Sequence, residues 1–376
     1  MDIGIPRETR AGEHRVALTP WGVKTLVQRG HRVWVETGAG SWAGHPDADY
    51  QSAGATVAFS RLEPFARGRL VAAVAAPEPS AYELLQSGQV VFAFWHLPAM
   101  RPEDVRALAA REVCAVGLEA IEDARGNAPV LTSMSEIAGE LAVTVGGGLL
   151  LNEFGGKGIL LGGAPGVPPA QLVILGAGVV GRSAARAALG LGAQVTLLDA
   201  SVERLRVAAA ELGRPLATML VSRPNLEKAL AFADLVLGAV AVHGQRAPLL
   251  VTREMLALMK PRSVVIDLSI DMGGCFETSR PTFFPNPVYE VDGILHFCVP
   301  NLPAVAARST SLALTNAMLP YLIEVADAGL EAALRSDADL RRGVYLCDGG
   351  CTRSSLARAA ELPLVSLPGE ERESWS

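Results

Sequence analysis

The chain has 376 residues, more than the ~100 to 200 of an ordinary domain, so two compact units are expected. Half of the residues are hydrophobic and 19% are charged, a globular balance that excludes long tracts kept disordered by charge. A formal charge of -6 and a pI near 5.6 leave no basic face for phosphate backbones, so nucleic acid is excluded as an expected partner.

In chain order, the first residues lack the positive region and apolar run of an export signal, and a cytoplasmic protein without a membrane span is expected. A strand is expected at residues 3–5. A helix follows, with Thr19 as cap, Pro20 at its first position, Val23, Leu26 and Val27 at helical spacing, and Gly30 closing it. Further strands are expected at residues 31–36, 70–74 and 90–94, with a helical stretch at 80–86 between the last two. Strands separated by helices imply a parallel sheet. Residues 159–181 are uncharged for longer than a membrane span needs, but Pro165, Pro168 and Pro169 break them into a loop and a strand.

A second strand series runs through residues 172–175, 195–198, 235–237 and 264–268, followed by a helical stretch at 311–328. The expected fold is therefore α/β, with two Rossmann-like domains and mainly parallel sheets. Residues 1–130 with 308–376 would form a substrate domain and residues 131–307 a dinucleotide domain, with a cleft between them. The five cysteines (Cys114, Cys275, Cys298, Cys347, Cys351) are odd in number and scattered, which argues against a disulfide framework. Cys347 and Cys351 alone lie close, and read as flanking a glycine turn because a zinc site needs four ligands.

The strongest motif is Gly176-Ala177-Gly178-Val179-Val180-Gly181, placed between an apolar strand and an alanine-rich helix. Gly176 permits the tight turn, Gly178 the approach of a pyrophosphate, and Gly181 close packing of helix on strand. The next strand ends in Asp199, near the ~20-residue spacing of an acid that binds ribose hydroxyls, and its charge would repel a 2′-phosphate. The expected cofactor is NAD rather than NADP.

Several segments carry a resemblance to the alanine dehydrogenase family. They include Gly4-Ile-Pro-Arg-Glu8, the stretch from Glu13 to Pro20, that from Met134 to Gly139, Leu161-Gly-Gly-Ala-Pro-Gly-Val167, and above all the run from Asp271 to Pro281. The chain resembles this family from residue 1 to about 370. It is less similar to the related transhydrogenase alpha chains over residues 271–319.

The resemblance implies NAD in the cleft, a closed homo-oligomer, commonly a hexamer, and reversible oxidative deamination of L-alanine. It implies that Arg15 holds the substrate carboxylate, His96 transfers a proton, and Asp271 lies beside the nicotinamide and the attacking ammonia or water. For the cofactor it implies Ser135, Val179, Asp199, Arg204, Val240, Leu268, Asn301 and Leu302 beside the glycines. Each catalytic candidate has a plainer reading: Arg15 as a surface ion pair, His96 as a core histidine, Asp271 as a cap on the following glycine turn. Phe94 and Trp95 read as core.

One departure stands out. The family carries a catalytic lysine two residues before Pro77, where this chain has Ala75, followed by Ala76. The chain has only four lysines, Lys24, Lys157, Lys228 and Lys260, and none lies between Lys24 and Lys157, which leaves Arg67 or Arg69 as local substitutes. A preorganised cation at such a site is worth on the order of 10² to 10³ in rate.

Three readings remain open at this point. One is an NAD-dependent oxidoreductase on an amino acid, 2-oxo acid or imine, with an altered substrate. The second uses bound NAD transiently for a net non-redox amine elimination or cyclisation, and the third is a catalytically silent NAD-binding homologue.

Overall fold

The computed structural model describes residues 1–241 and 246–370. The chain divides into two compact units, Met1–Met134 with Ala304–Ser376, and Ser135–Pro303. The strands of the first unit are β1 (Asp2–Ile5), β2 (Arg32–Glu36), β3 (Thr56–Ala58), β4 (Leu70–Ala75), β5 (Val90–Phe94) and β6 (Cys114–Gly117). The second unit holds β7 (Gln171–Leu175), β8 (Gln194–Asp199), β9 (Ala217–Leu220), β10 (Leu235–Gly238), β11 (Val264–Asp267), β12 (Val288–Val291) and β13 (Ile294–Phe297). The chain then returns to the first unit with β14 (Val344–Cys347) and β15 (Gly350–Cys351).

In the first unit the sheet order is β15-β14-β6-β5-β4-β1-β2-β3. The strands from β1 to β6 are parallel, and only β14 and β15 run antiparallel to their neighbours. A parallel sheet is covered on both faces, which is why β4 reads Leu-Val-Ala-Ala-Val-Ala and is buried until its last residue. From β1 the chain first builds outward through β2 and β3, then crosses back to place β4 on the other side. Such a reversal opens a crevice beyond the strand ends, here after Ile5 and at Ala75.

The second unit repeats the logic with the order β12-β13-β11-β10-β7-β8-β9, parallel except for β12, and with its reversal between β7 and β10. Alternate residues of β7 feed opposite cores. Leu172 and Ile174 pack with Ala184, Ala188 and Val195, whereas Val173 and Leu175 pack with Leu226, Leu230 and Val265.

Several local expectations change. The first helix spans Pro20–Gln28 with Thr19 at the cap position, but the Thr19 hydroxyl makes no cap bond; its backbone N–H donates to Thr315 Oγ1 at 2.9 Å instead. Gly30 does close that helix, at φ +90°. The helical stretch expected at residues 80–86 is the tighter 3₁₀ helix Pro79–Leu84, since the segment is short and begins on proline. Cys347 and Cys351 belong to a β14–β15 hairpin whose two-residue turn, Asp348-Gly349, is left-handed at both positions. All five cysteines are free and buried, and the described residues hold no metal-ligand cluster. Residues 159–170 are loop before β7, and no described helix is long and apolar enough to cross a membrane.

Candidate functional site

In the first unit, Arg15 lies on the segment before the first helix, buried rather than on the surface. Its Nε and Nη2 donate to the two oxygens of buried Glu13 at 2.7 and 2.6 Å, a fork that neutralises both charges away from water. Nη1 points to Met134 Sδ at 3.4 Å, and the guanidinium carbon lies 5.9 Å from the Phe94 ring centre.

The same ring meets His96 on a stacked approach, centre to centre 6.2 Å. His96 is not a core histidine, since its side chain is 60% exposed. It sits at φ 48°, a left-handed backbone costly for a non-glycine residue. Glu119, just after β6, holds that geometry: its oxygens accept the Trp95 N–H at 3.2 Å and the His96 N–H at 2.7 Å. Trp95 is core as expected. Phe94, half-buried between Arg15 and His96, is part of the site.

Ala75 is the register partner of Phe94 across β4 and β5, so the departure noted in the sequence falls beside these groups. Glu8 lies there too. One of its oxygens accepts the Val74 N–H at 2.7 Å and the other the Ala75 N–H at 3.3 Å. Burial, helped by the neighbouring Glu13 charge, pushes the Glu8 carboxyl up to about 7, against the lowering effect of the two amides and Arg15. A cavity of about 350 Å³ is lined by Glu8, Glu13, Arg15, His14 and Trp42, the last two rings packed at 4.3 Å.

Neither Arg67 nor Arg69 lines the cavity or the hollow at Ala75. Arg67 lies 4.3 Å over the Trp34 ring and pairs with Glu63. Two of the four lysines are also committed elsewhere, Lys157 and Lys260 both donating to Asp234.

In the second unit, the turn after β7 has the properties the glycine motif requires. A Cβ on Gly176 would strike the Ala239 carbonyl, and one on Gly181 the Gly176 carbonyl, whereas at Gly178 nothing lies within 4 Å. Gly178 caps the helix Val179–Gly190, so open space faces a positive helix end, which suits a pyrophosphate. Asp199, at the end of β8, accepts the Ala177 N–H at 2.8 Å and the Ser201 N–H at 2.8 Å. It does not cap the next helix, Val202–Leu212, whose cap is Ser201; Arg204 is exposed on that helix.

Ser135 is half-buried near the start of the helix Pro129–Leu149. That helix lies close on Val179–Gly190 where Gly139 leaves room and Ser183 donates to the Glu136 carbonyl at 2.8 Å. Val240 donates its N–H to Ser269 Oγ at 3.0 Å, and Leu268 extends the ladder from β11 to Gly238. Asp271 is exposed in the 3₁₀ turn Ile270–Met272 and accepts the Asn301 N–H at 3.2 Å, Asn301 itself being left-handed at φ 52°. Leu302, by contrast, is 2% exposed in the core, so its side chain has no free face for a ligand.

Sequence reasoning missed Glu8, Glu13, Glu119 and Asp267. The first two sat within quoted motifs, but nothing in their spacing told that they are held inside. Asp267 ends β11 and fixes the loop that carries Asp271, accepting from Ser269, Cys275 and Ser279 at 3.0, 2.9 and 2.6 Å.

The chain is similar to known proteins over nearly its whole length. Residues 4–138 match the N-terminal domain family of alanine dehydrogenase/PNT, and residues 142–354 its C-terminal domain family. An alanine dehydrogenase of Mycolicibacterium smegmatis is 40% identical over 365 residues, 97% of this chain and 98% of that protein. A solved L-alanine dehydrogenase superposes with a TM-score of 0.91 at 41% identity, covering 96% of this chain and 99% of that one. A transhydrogenase from Sinorhizobium meliloti is more distant, with a TM-score of 0.80 at 28% identity, covering 93% of this chain and all of that one.

Proposed function

Because the chain belongs to the alanine dehydrogenase/PNT family, we propose that it is an NAD-dependent oxidoreductase acting on the CH–NH2 or CH–NH group of a small amino acid or imine. The observation that carries this reading is the grouping of a buried guanidinium and an exposed imidazole on the Phe94 ring.

In this reading Arg15 orients the substrate carboxylate, its charge set in place by Glu13. His96 holds or releases a proton at the reacting carbon's substituent, in a position fixed by Glu119. Asp271 orients the ammonia or water that completes the exchange. NAD, when bound, supplies the hydride acceptor. The Gly176–Gly181 turn takes its pyrophosphate, Asp199 favours a free ribose over a 2′-phosphate, and Ser135, Val240, Leu268 and Asn301 belong to its surroundings. Leu302 contributes through backbone at most.

Ala75 is the reason to propose a substrate other than pyruvate or alanine. Without the lysine, a ketone loses its polarising partner, whereas a protonated imine already carries an electrophilic carbon. Absorbance at 340 nm, followed with a panel of amino acids and NAD, tests the reading. Reduction with at least one of them is expected; product formed with no net change in NADH would favour transient use of the cofactor, and inertness with every substrate a silent homologue.

A further inference from the structure

The Glu8 carboxylate is placed by the backbone rather than by another side chain. With an amide donor on each oxygen, its plane is fixed at the end of β4, beside Ala75. Ala75 and Ala76 line the small hollow on one side of Glu8, and the 350 Å³ cavity opens on the other.

The charges around it decide what it attracts. Glu13 and Arg15 cancel in their fork, and Arg7 turns toward Glu36, 3.7 Å away. Arg7 and Arg10, both exposed, line the cavity and the small hollow alike, and Arg61 and Glu78 line the hollow on the β4 side. Of the two acidic groups of the cavity wall, Glu13 is paired with Arg15, whereas Glu8 has no direct ion pair among the described residues and feels the Arg15 charge from a distance. Trp42, 74% exposed against His14, adds an indole face, which attracts cations. At about 350 Å³ the cavity lies at the lower end of the roughly 300 to 1,000 Å³ of small-molecule sites.

We propose that this cavity takes an amino acid with a second, cationic nitrogen, whose ammonium or guanidinium group is received by Glu8 on the cavity side. The inference rests on the oxidoreductase reading, in which Arg15 takes the carboxylate, and it specifies the substrate class of that site. Binding a cation draws Glu8 into its ionised form. With a carboxyl near 7, affinity falls about tenfold from pH 8 to pH 6, as the ionised fraction falls.

Titration calorimetry on the full chain, with and without NADH, tests this with L-lysine, L-ornithine and L-arginine against L-alanine. At pH 8 at least one dibasic amino acid should bind tenfold or more tightly than L-alanine and lose about tenfold at pH 6. Glu8→Gln should abolish both the preference and its pH dependence, which separates Glu8 from His14 and His96, the histidines nearby. Because Glu8 also holds the end of β4, Ala75→Lys serves as the second variant: it keeps those amide bonds and sets a competing ammonium against the carboxylate, and should weaken dibasic binding tenfold. Equal or tighter binding of L-alanine, or dibasic affinity unchanged in both variants, overturns the inference. Failure to bind NADH would instead sink the oxidoreductase reading, and the titrations without cofactor would still decide the role of Glu8.

Discussion

At the residue scale, the site turns on which charge stands at the end of β4. A lysine at position 75 would place an ammonium beside both Glu8 and the Phe94 ring, because Ala75 donates its N–H to Glu8 and pairs with Phe94. If Arg15, His96 and Asp271 are still poised for a 2-oxo acid, Ala75→Lys should raise amination of pyruvate, measured with ammonium at saturating NADH, by on the order of 10². No gain, with NADH binding intact, would mean that the missing cation is not what limits that reaction. A second residue governs stability. Burial opposes ionisation of Asp234, but the Gln171 amide and the Lys157 and Lys260 ammoniums outweigh it, and its carboxyl lies below the ordinary range. A lowered carboxyl stabilises the fold above its unfolded value near 3.9, and that stabilisation is lost as pH falls through the folded value. Asp234→Asn should therefore cost about 2 kcal/mol in denaturant unfolding at pH 7, with the gap narrowing below pH 4.

At the element scale, the turn from β7 into Val179–Gly190 separates folding from binding within six residues. Gly181 packs against the Gly176 carbonyl, so Gly181→Ala should destabilise the protein by about 2 kcal/mol through forced displacement of backbone. Gly178 faces open space at φ −71°, where alanine fits without strain. Gly178→Ala should keep the melting temperature and weaken NADH tenfold or more, read by fluorescence titration. Undiminished NADH affinity in that variant would place the pyrophosphate elsewhere. The glycine spacing made this turn legible from sequence, because each glycine answers a local steric demand. The left-handed His96 was not legible: its conformation depends on Glu119, 23 residues further along the chain.

At the scale of the whole molecule, a closed symmetric homo-oligomer is expected from the resemblance, and exposed Trp21, Phe59 and Phe154 supply apolar surface for such contacts. Light scattering at micromolar concentration should report a multiple of 39.4 kDa; a monomer would count against it. The sequence by itself determined the α/β class, the more apolar strands of both sheets and the glycine turn after β7, because periodicity and glycine spacing are local and repeat along the chain. It also showed that position 75 lacks a lysine. Only the tertiary structure decided that Arg15 is buried in a fork with Glu13, that His96 is exposed, and that Leu302 faces the core. The same holds for Glu8, whose carboxylate meets the end of β4. These depend on which strand ends meet where the sheet order reverses, and on how far each charge is removed from water. Both are set by packing between residues distant in the chain, which the order of residues does not state.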